Sequence, residues 1–385
     1  MASGHVPGRK GVGVDFARLK KSFAHIALHG DEVPLHFYSD LFLKHPETRL
    51  MFPVSMQAQR AHLVDALARI VASVESIGEL TRFLEELGRG HRKFGTLEAH
   101  YEAVGASLLA TFAHFSGDAW DDDLAADWTT AYRAIAGVMV AAAHADEHIR
   151  PAYWTAHVVA VESRAFDITA LTVAPQPRLD YVPGQSVAIE SPRRPRLWRY
   201  YSMANAPRPD GTIDFHVRLI DGGPVSMALT SGTSAGDELR LGPPVGALRL
   251  DTESDRDVLL VAGSTGLAPL LAILEQLATR PDPPRTQLFF GARTPDGLYA
   301  LKQLDRLAAE HPWLAVSPVA AVAPEGFSGQ VGLLPEVVAR LGAWTGHDAY
   351  LAGPTEMVQD CAARLGAAGL PGSQIHVEDF GWSER

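Results

Sequence analysis

The chain carries the stretch Arg199-Tyr200-Tyr201-Ser202-Met203-Ala204-Asn205 just past its middle, and the rest of the sequence is arranged on either side of it. Its aromatic and hydroxyl residues predict a strand. A tyrosine face can cover a flat ring system, a serine hydroxyl can donate to a ring or phosphate oxygen, and an arginine can pair with a diphosphate. The same pattern also fits an ordinary half-buried strand. The neighbouring segments decide between these two interpretations.

Length and composition exclude several classes of protein. The chain has 385 residues, which at roughly 100–200 residues per domain predicts two or three domains. Its formal net charge is −11 and it has no basic block, which argues against a nucleic-acid partner. No apolar run is long enough to span a membrane, and residues 1–10 lack the apolar core of a signal peptide.

Cysteine usage narrows the chemistry further. Cys361 is the only cysteine, which excludes an internal disulfide, a zinc–cysteine site and a cysteine-ligated iron–sulfur cluster. We therefore expect a protein of the reducing cytoplasm, and no obligatory protein partner is evident from the sequence.

Residues 1–150 predict an all-helical domain, because apolar side chains recur at helical spacing and strand alternation is missing. Leu80, Leu84, Leu87 and His91 fall on successive turns of one helix, which places His91 at the apolar end of that helix. A histidine in such a place is more often a core or surface residue than a ligand. Imidazole is nevertheless the commonest metal ligand, so His91 is a candidate.

An ordered set of residues in this segment resembles the globin part of the flavohaemoglobins. The set is His36-Phe37-Tyr38, Phe52, Gln59-Arg60, His91, His100-Tyr101, Val104-Gly105 and Leu108-Leu109. The resemblance implies that His91 is the axial iron ligand of haem b. It also implies that Tyr38 and Gln59 face the bound gas. Phe52 would pack on the haem ring, and Tyr101 would form a hydrogen bond near His91.

One position departs from that family. When Trp128 and Tyr132 serve as anchors, the family's proximal glutamate falls on Ala143. A carboxylate there would polarise the histidine ligand and make the iron more electron-rich. Asp146 and Glu147 are the nearest possible substitutes in the sequence.

Residues 151–253 predict a small antiparallel β-barrel, because short apolar or alternating runs are separated by turns. The order of its motifs resembles the flavin domain of the ferredoxin-NADP reductase superfamily. That resemblance implies an FAD site built from Arg199, Tyr201, Ser202, His216, Arg218, Gly222, Gly223 and Ser226. Arg199 would pair with the diphosphate, Tyr201 would lie against the isoalloxazine and Ser202 would bond near N5. The two glycines also fit a plain hairpin turn.

Residues 254–385 predict an α/β, Rossmann-like domain, because buried strands alternate with helices. This segment resembles the pyridine-nucleotide domain of the same superfamily, which implies an NAD(P)H site. Its implied residues are Gly263, Thr265 and Gly266 at the phosphates, Gly353, Pro354 and Met357 at the nicotinamide, and Glu378 and Phe380 beside the flavin. Arg293 can bind the 2′-phosphate of NADPH or only the adenine, so the choice between NADH and NADPH stays open. The family's usual cysteine before the Gly-Pro pair is Ala352 here.

Together the three segments resemble a flavohaemoglobin over almost the whole chain. The resemblance implies an NAD(P)H-dependent nitric oxide dioxygenase, which uses FAD and haem to convert NO and O2 to nitrate. FAD suits the middle position because it accepts two electrons at once and releases them singly. Two alternatives stay open: a gas sensor or O2 carrier whose reductase module keeps the haem ferrous, and a flavin reductase with a haem-free globin-like domain.

Overall fold

The computed structural model describes residues 14–378, and the chain divides between Ala152 and Tyr153 into two compact units. The described part of the first unit is helical, and the second unit holds two separate six-stranded sheets. This order confirms the predicted fold class: an all-α segment, then an antiparallel β-barrel, then a parallel α/β layer. No helix within residues 14–378 has the length and apolar character needed to cross a bilayer.

The helical unit contains six α-helices within its described residues. They are α1 (Phe16–Ala27), α2 (Glu32–Lys44), α3 (Gln57–Ala72), α4 (Ile77–His91), α5 (Glu98–Ser116) and α6 (Asp122–Glu147). Two of them begin where the sequence supplies a cap, since the carboxylates of Asp15 and Asp121 accept the N–H groups of Arg18 and Leu124. The α4 helix ends at His91, as its apolar spacing predicts, and Gly95 follows in the left-handed conformation.

A glycine sets the closest approach between α4 and α6. A Cβ added at Gly88 would lie 2.2 Å from the main-chain oxygen of Met139, whereas one added at Gly90 would meet nothing within 4 Å. One turn further on, the Arg92 guanidinium pairs with the carboxylate of Asp146. The two helices therefore run side by side up to the end of α4, which fixes the position of His91.

The antiparallel sheet of the second unit closes into a barrel. Its strands are β1 (Trp154–Ala165), β2 (Ile168–Gln176), β3 (Ser186–Glu190), β4 (Trp198–Ser202), β5 (Ile213–Arg218) and β6 (Glu238–Leu241), in the order β4-β3-β6-β1-β2-β5. A bridge between Met203 and Phe215 joins the two edges. A short helix, α7 (Pro224–Ser231), follows β5, and its buried Val225 and Leu229 belong to the barrel core.

The second sheet of this unit is parallel throughout. Its strands are β7 (Asp257–Gly263), β8 (Thr286–Ala292), β9 (Leu314–Ala320), β10 (Gln330–Val331), β11 (His347–Ala352) and β12 (Ile375–Val377). The helices between them are α8 (Leu267–Ala278), α9 (Leu301–Glu310), α10 (Leu334–Leu341) and α11 (Thr355–Ala367). The order β10-β9-β8-β7-β11-β12 reverses direction between β7 and β11, and ligands of such sheets bind where the strand order reverses.

The close contact at Gly88 predicts opposite effects for two alanine substitutions in one helix. Gly88→Ala should destabilise the α4–α6 pair by about 1–3 kcal/mol, because the new methyl overpacks against main chain. Gly90→Ala should stabilise α4 by up to about 1 kcal/mol, because alanine has the higher helix propensity. Native-state hydrogen exchange of α4 and α6 peptides measures both effects. Equal exchange in the two variants would contradict the contact.

Candidate functional site

His91 is a half-buried imidazole with an unpaired buried nitrogen. Its Nδ1 atom has no hydrogen-bond partner among the described residues, and the same is true of the buried hydroxyl of Tyr101. The two rings lie 6.3 Å apart between centroids. Burial, with a smaller contribution from the Lys93 charge, lowers the pKa of His91 to about 4. The ring is therefore neutral at physiological pH, which is the form that binds a metal.

Tyr38 lies in an aromatic cluster of the same unit. Its side chain is buried and packs edge-on against Phe52, with ring centroids 5.4 Å apart, and it also contacts Phe42. The Tyr38 hydroxyl donates to the main-chain oxygen of Gln59 across a long 3.4 Å. Burial raises the pKa of Tyr38 well above its ordinary value, so it stays a neutral phenol that can donate a hydrogen bond.

Neither candidate substitute for the missing proximal carboxylate reaches His91. Asp146 is buried, and its carboxylate pairs with Arg92 and with Arg150, the latter at 2.7 Å. Arg92 also donates to the main-chain oxygen of Arg150 at 2.9 Å. Glu147 is exposed. Because the Nδ1 atom of His91 has no hydrogen-bond partner among the described residues, neither of the two possible substitutes, Asp146 and Glu147, accepts a hydrogen bond from it.

The helical unit offers the donors and the apolar surface that a haem needs. Several apolar side chains pack against its core while remaining only partly buried. They include Phe42, Phe52, Met56, Leu63, Leu67, Val71, Val104 and Leu109. Within residues 14–378 no group of three or more His, Cys, Asp or Glu side chains could hold a bare metal ion. A haem iron needs only one protein ligand, and the neutral His91 fits that role.

The Arg199–Ser202 stretch forms β4 and pairs with β3, with Tyr201 opposite Val187 and Ser202 opposite Ser186. Arg199 is half-buried, and its Nη1 donates to the Trp198 main-chain oxygen at 2.8 Å. The buried Ser202 hydroxyl donates to the carboxylate of Glu378 through a short hydrogen bond. The structure thus joins two predicted flavin contacts from opposite ends of this unit.

The Gly222-Gly223 turn leads into α7 as predicted. Gly222 has a φ of +69°, which glycine adopts without strain. The Ser226 hydroxyl accepts the N–H of Ile220 at 3.1 Å and donates to the main-chain oxygen of Gly223 at 3.1 Å. Ser226 therefore closes the turn, and its contact with a phosphate stays a prediction.

His216 and Arg218 project outward from β5, because the alternating Phe215 and Val217 are buried in the barrel core. His216 Nδ1 lies 2.8 Å from the hydroxyl of Tyr299 in the parallel-sheet part, and its flavin contact stays a prediction. Burial, with a smaller contribution from Arg164, lowers the pKa of His216 to about 4. Arg218 Nε donates to Asp167 at 2.8 Å.

Three glycines form a cradle at the carboxyl ends of β7 and β11. A Cβ at Gly266 would lie 2.4 Å from the main chain of Ala352 and Gly353, and a Cβ at Gly263 would lie 2.7 Å from Met357 Cε and 3.0 Å from Pro354 Cδ. Gly353 itself has a φ of +142°. Helix α8 begins directly after Gly266, and the contact of this turn with the dinucleotide phosphates stays a prediction.

The remaining described residues of the predicted nucleotide site lie at or just after the ends of β7, β8 and β11. Thr265 is half-buried within the turn, and Arg293 is exposed immediately after β8. Ala352 is fully buried at the end of β11. Phe380 lies outside the described residues, so its predicted place beside the flavin stays a prediction.

Two contact residues escaped the sequence analysis. Glu275 lies on α8 and accepts the N–H of Ala206 at 2.8 Å, and Tyr299 contacts His216. In the sequence, Glu275 stands out only as a single acidic side chain on a helix that is otherwise almost wholly apolar. A lone charge on a buried helix requires a partner, but the sequence does not reveal which one.

Comparisons with known proteins match each of the three segments to a domain family. The family model described as Globin matches residues 35–139, Oxidoreductase FAD-binding domain matches 156–250, and Oxidoreductase NAD-binding domain matches 260–363. A flavohemoprotein of Bordetella pertussis is 30% identical over 391 residues, which cover 92% of this chain and 94% of the relative. A flavohemoprotein of Bacillus subtilis is 25% identical over 389 residues, covering 94% and 96%.

Solved structures show the same architecture. A flavohemoglobin from Malassezia yamatoensis with bound FAD and heme has a TM-score of 0.77 at 19% identity and covers 95% of this chain and 98% of that one. The flavohem-like FAD/NAD-binding domain of nitric oxide dioxygenase from Vibrio cholerae has a TM-score of 0.53 at 23% identity and covers 59% and 98%. Given the full-length relative at 30% identity and the three modules in the same order, the chain belongs to the flavohaemoglobin family of NAD(P)H-dependent oxidoreductases.

Proposed function

We propose that this chain is a nitric oxide dioxygenase that converts NO and O2 to nitrate at the expense of NAD(P)H. The observation that carries the proposal is the pair of neutral side chains in the helical unit, the half-buried His91 imidazole and the buried Tyr38 phenol. They are joined in one chain to a reductase unit that can deliver electrons. The Vibrio cholerae neighbour, whose reductase part resembles this one, is named for the same activity.

His91 and Tyr38 have separate roles in this proposal. His91 would hold the haem b iron through Nε2, and Tyr38 and Gln59 would line the gas side. When bound, the haem supplies an iron that takes up diatomic gases, and the FAD divides the electron pair of a hydride into single electrons. A tyrosine phenol is protonated at physiological pH, and burial raises the pKa of Tyr38 further, so the hydroxyl can donate to the negative charge that develops on oxygen.

The reductase unit would bind and orient the two organic cofactors. Arg199 would pair with the FAD diphosphate, and Tyr201 would cover the isoalloxazine. Ser202, held by Glu378, would present its oxygen near the flavin N5. The glycines at positions 263 and 266 let β7 and the following turn pack closely against Ala352, Gly353 and Met357, and the dinucleotide would bind at this strand end. Arg293 is exposed at the β8 end, where it can meet either the 2′-phosphate or the adenine.

One observation favours a second candidate function. The buried Nδ1 of His91 has no acceptor among the described side chains, and Asp146 is held by two arginines. Without a carboxylate partner the imidazole is a weaker electron donor to iron. That arrangement also suits a gas carrier or sensor whose reductase keeps the haem ferrous.

Nitrate formation separates these two functions. The purified protein should remove NO rapidly in air with NADH or NADPH, and the nitrate formed should match the NO consumed. A carrier or sensor would take up one NO per haem and then remove NO only slowly, at the rate at which its reductase restores the ferrous haem. The measurement is NO consumption at an electrode with nitrate quantified, run with each nucleotide. Nitrate limited to one equivalent per haem would overturn the dioxygenase proposal.

Removal of His91 tests the axial ligand. His91→Ala should abolish haem retention, because His91 is the proposed iron ligand and alanine offers the iron no nitrogen. The matched control is His25→Ala on the exposed face of α1, which should retain haem. Pyridine haemochrome analysis of the two variants gives the haem content. Wild-type content in His91→Ala would identify another residue as the ligand.

Addition of a carboxylate tests the missing proximal partner. The contacts Gly88–Met139 and Arg92–Asp146 bracket Ala143 at the level of His91 along the two helices. Ala143→Glu should raise the iron–histidine stretching frequency of the ferrous protein, because a carboxylate that accepts from Nδ1 makes imidazole a stronger donor. Ala145→Glu adds the same charge at an exposed position and should leave the frequency unchanged. Resonance Raman spectroscopy measures both, and equal frequencies in all three proteins would contradict this placement.

A further inference from the structure

A polar seam lies where the barrel meets the parallel-sheet part within the second unit. We define the seam by Arg208, Asp214, His216, Glu275 and Tyr299. It borders a small cavity of about 60 Å³ lined by both carboxylates and by Arg208 and His216. None of these residues belongs to the β4 segment or to the glycine cradle. Through Glu275, the seam nevertheless connects the chain that follows β4 with α8, the helix that begins at the glycine cradle.

Glu275 connects the two cofactor sites through one hydrogen bond. Its Oε2 accepts the Ala206 N–H at 2.8 Å, and its Oε1 lies 4.0 Å from Arg208 Nη2. Ala206 follows closely after Ser202 in the chain. Glu275 itself lies on α8, which begins immediately after the turn that carries Gly266. Most of α8 is buried, so it behaves as a rigid rod between the glycine cradle and Glu275.

The chain between Ser202 and Ala206 is rigid as well. Main-chain N–H groups of Met203 and Ala204 donate to Gln185 and Asp214 at 3.1 and 2.8 Å. Asn205 is fully buried and accepts the Asp214 N–H at 2.7 Å through its side chain. A displacement at Ala206 would therefore be transmitted to Ser202 instead of being absorbed by the intervening loop.

We propose that Glu275 is a positioning residue for hydride transfer, because its hydrogen bond to Ala206 sets the spacing between the flavin strand and the dinucleotide cradle. The inference rests on the proposed FAD and NAD(P)H sites. Glu275 contacts neither cofactor in this account. Glu275 acts by holding a hydrogen-bond acceptor at the end of a side chain long enough to meet Ala206. The length of the Glu275 side chain therefore matters more than its charge.

Three substitutions at this position separate reach from charge. Glu275→Gln keeps a carbonyl oxygen at the same reach and removes the charge. Glu275→Asp keeps the charge and withdraws the acceptor by one methylene. Glu275→Ala removes both. Gln276→Ala is the control on the same helix, because the Gln276 Oε1 has no hydrogen-bond partner among the described residues.

The experiment is anaerobic stopped-flow reduction of the flavin in the holoenzyme, with NADH and NADPH each varied to saturation. A misplacement of about 1 Å can slow a reaction roughly a hundredfold, so Glu275→Ala should lower the limiting rate on the order of ten- to a hundredfold. The apparent dissociation constant of the nucleotide should stay close to that of the wild type. Glu275→Asp should be slow, whereas Glu275→Gln and Gln276→Ala should reduce the flavin at nearly the wild-type rate. FAD content and melting temperature are measured for every variant.

The outcomes distinguish this inference from the proposed function. A wild-type protein whose flavin is reduced by neither nucleotide would overturn the proposed cofactor sites and the inference with them. A wild-type protein that is reduced, together with unchanged rates in Glu275→Ala and Glu275→Asp, would overturn the inference alone. Slow reduction in Glu275→Gln together with a wild-type rate in Glu275→Asp would show that charge, not reach, is what matters, and would overturn the inference. Slowing that follows lost FAD or a lowered melting temperature would show a merely structural role.

Discussion

The hydrogen bond from Ser202 to Glu378 joins side chains 176 residues apart and holds together the proposed site for flavin chemistry. It ties the end of β4 to the end of the parallel sheet. In the proposed sites the flavin binds at the barrel and the dinucleotide binds at the parallel sheet. Hydride transfer requires both at a fixed spacing, because its rate is sensitive to small displacements. Glu275 provides a second tie between the same two layers at Ala206.

Burial decides the chemistry of the helical unit. Desolvation lowers the pKa of His91, so its imidazole is neutral near pH 7, and it raises the pKa values of the Tyr38 and Tyr101 phenols still further above that pH. A neutral imidazole can ligate iron, and a neutral phenol can donate to a bound gas. The acidic group nearest to His91 along α6 is occupied elsewhere, since Asp146 balances Arg92 and Arg150. The helical unit therefore holds a neutral imidazole and a neutral phenol, and no carboxylate among the described side chains accepts a hydrogen bond from His91 Nδ1.

Local patterns in the sequence predicted most of the fold. Helical spacing placed His91 at the end of α4, and alternation placed Arg199 to Ser202 on a strand. The apolar run of β7 followed by glycines predicted the cradle, because only a residue without a Cβ fits there. These features depend on neighbours in the chain, so they can be read from one sequence.

Contacts between distant segments could not be predicted in the same way. The pairing of Asp146 with Arg92, and of Glu275 with the Ala206 N–H, depends on how helices and strands pack. The site assignments themselves came from resemblance, and the structure gathers Gly263, Gly266 and Gly353 without showing a ligand. The outward direction of His216 follows from the register of β5, which the motif does not reveal.

The central claim is that electrons from the nucleotide reach the haem through the flavin of the same chain. Anaerobic mixing of the holoprotein with NADH or NADPH, followed at the flavin and Soret bands together, tests it most directly. The account predicts that the flavin bleaches first and that the Soret band then shifts to the ferrous form. A flavin that bleaches while the Soret band stays ferric, or a protein without a Soret band, would contradict it.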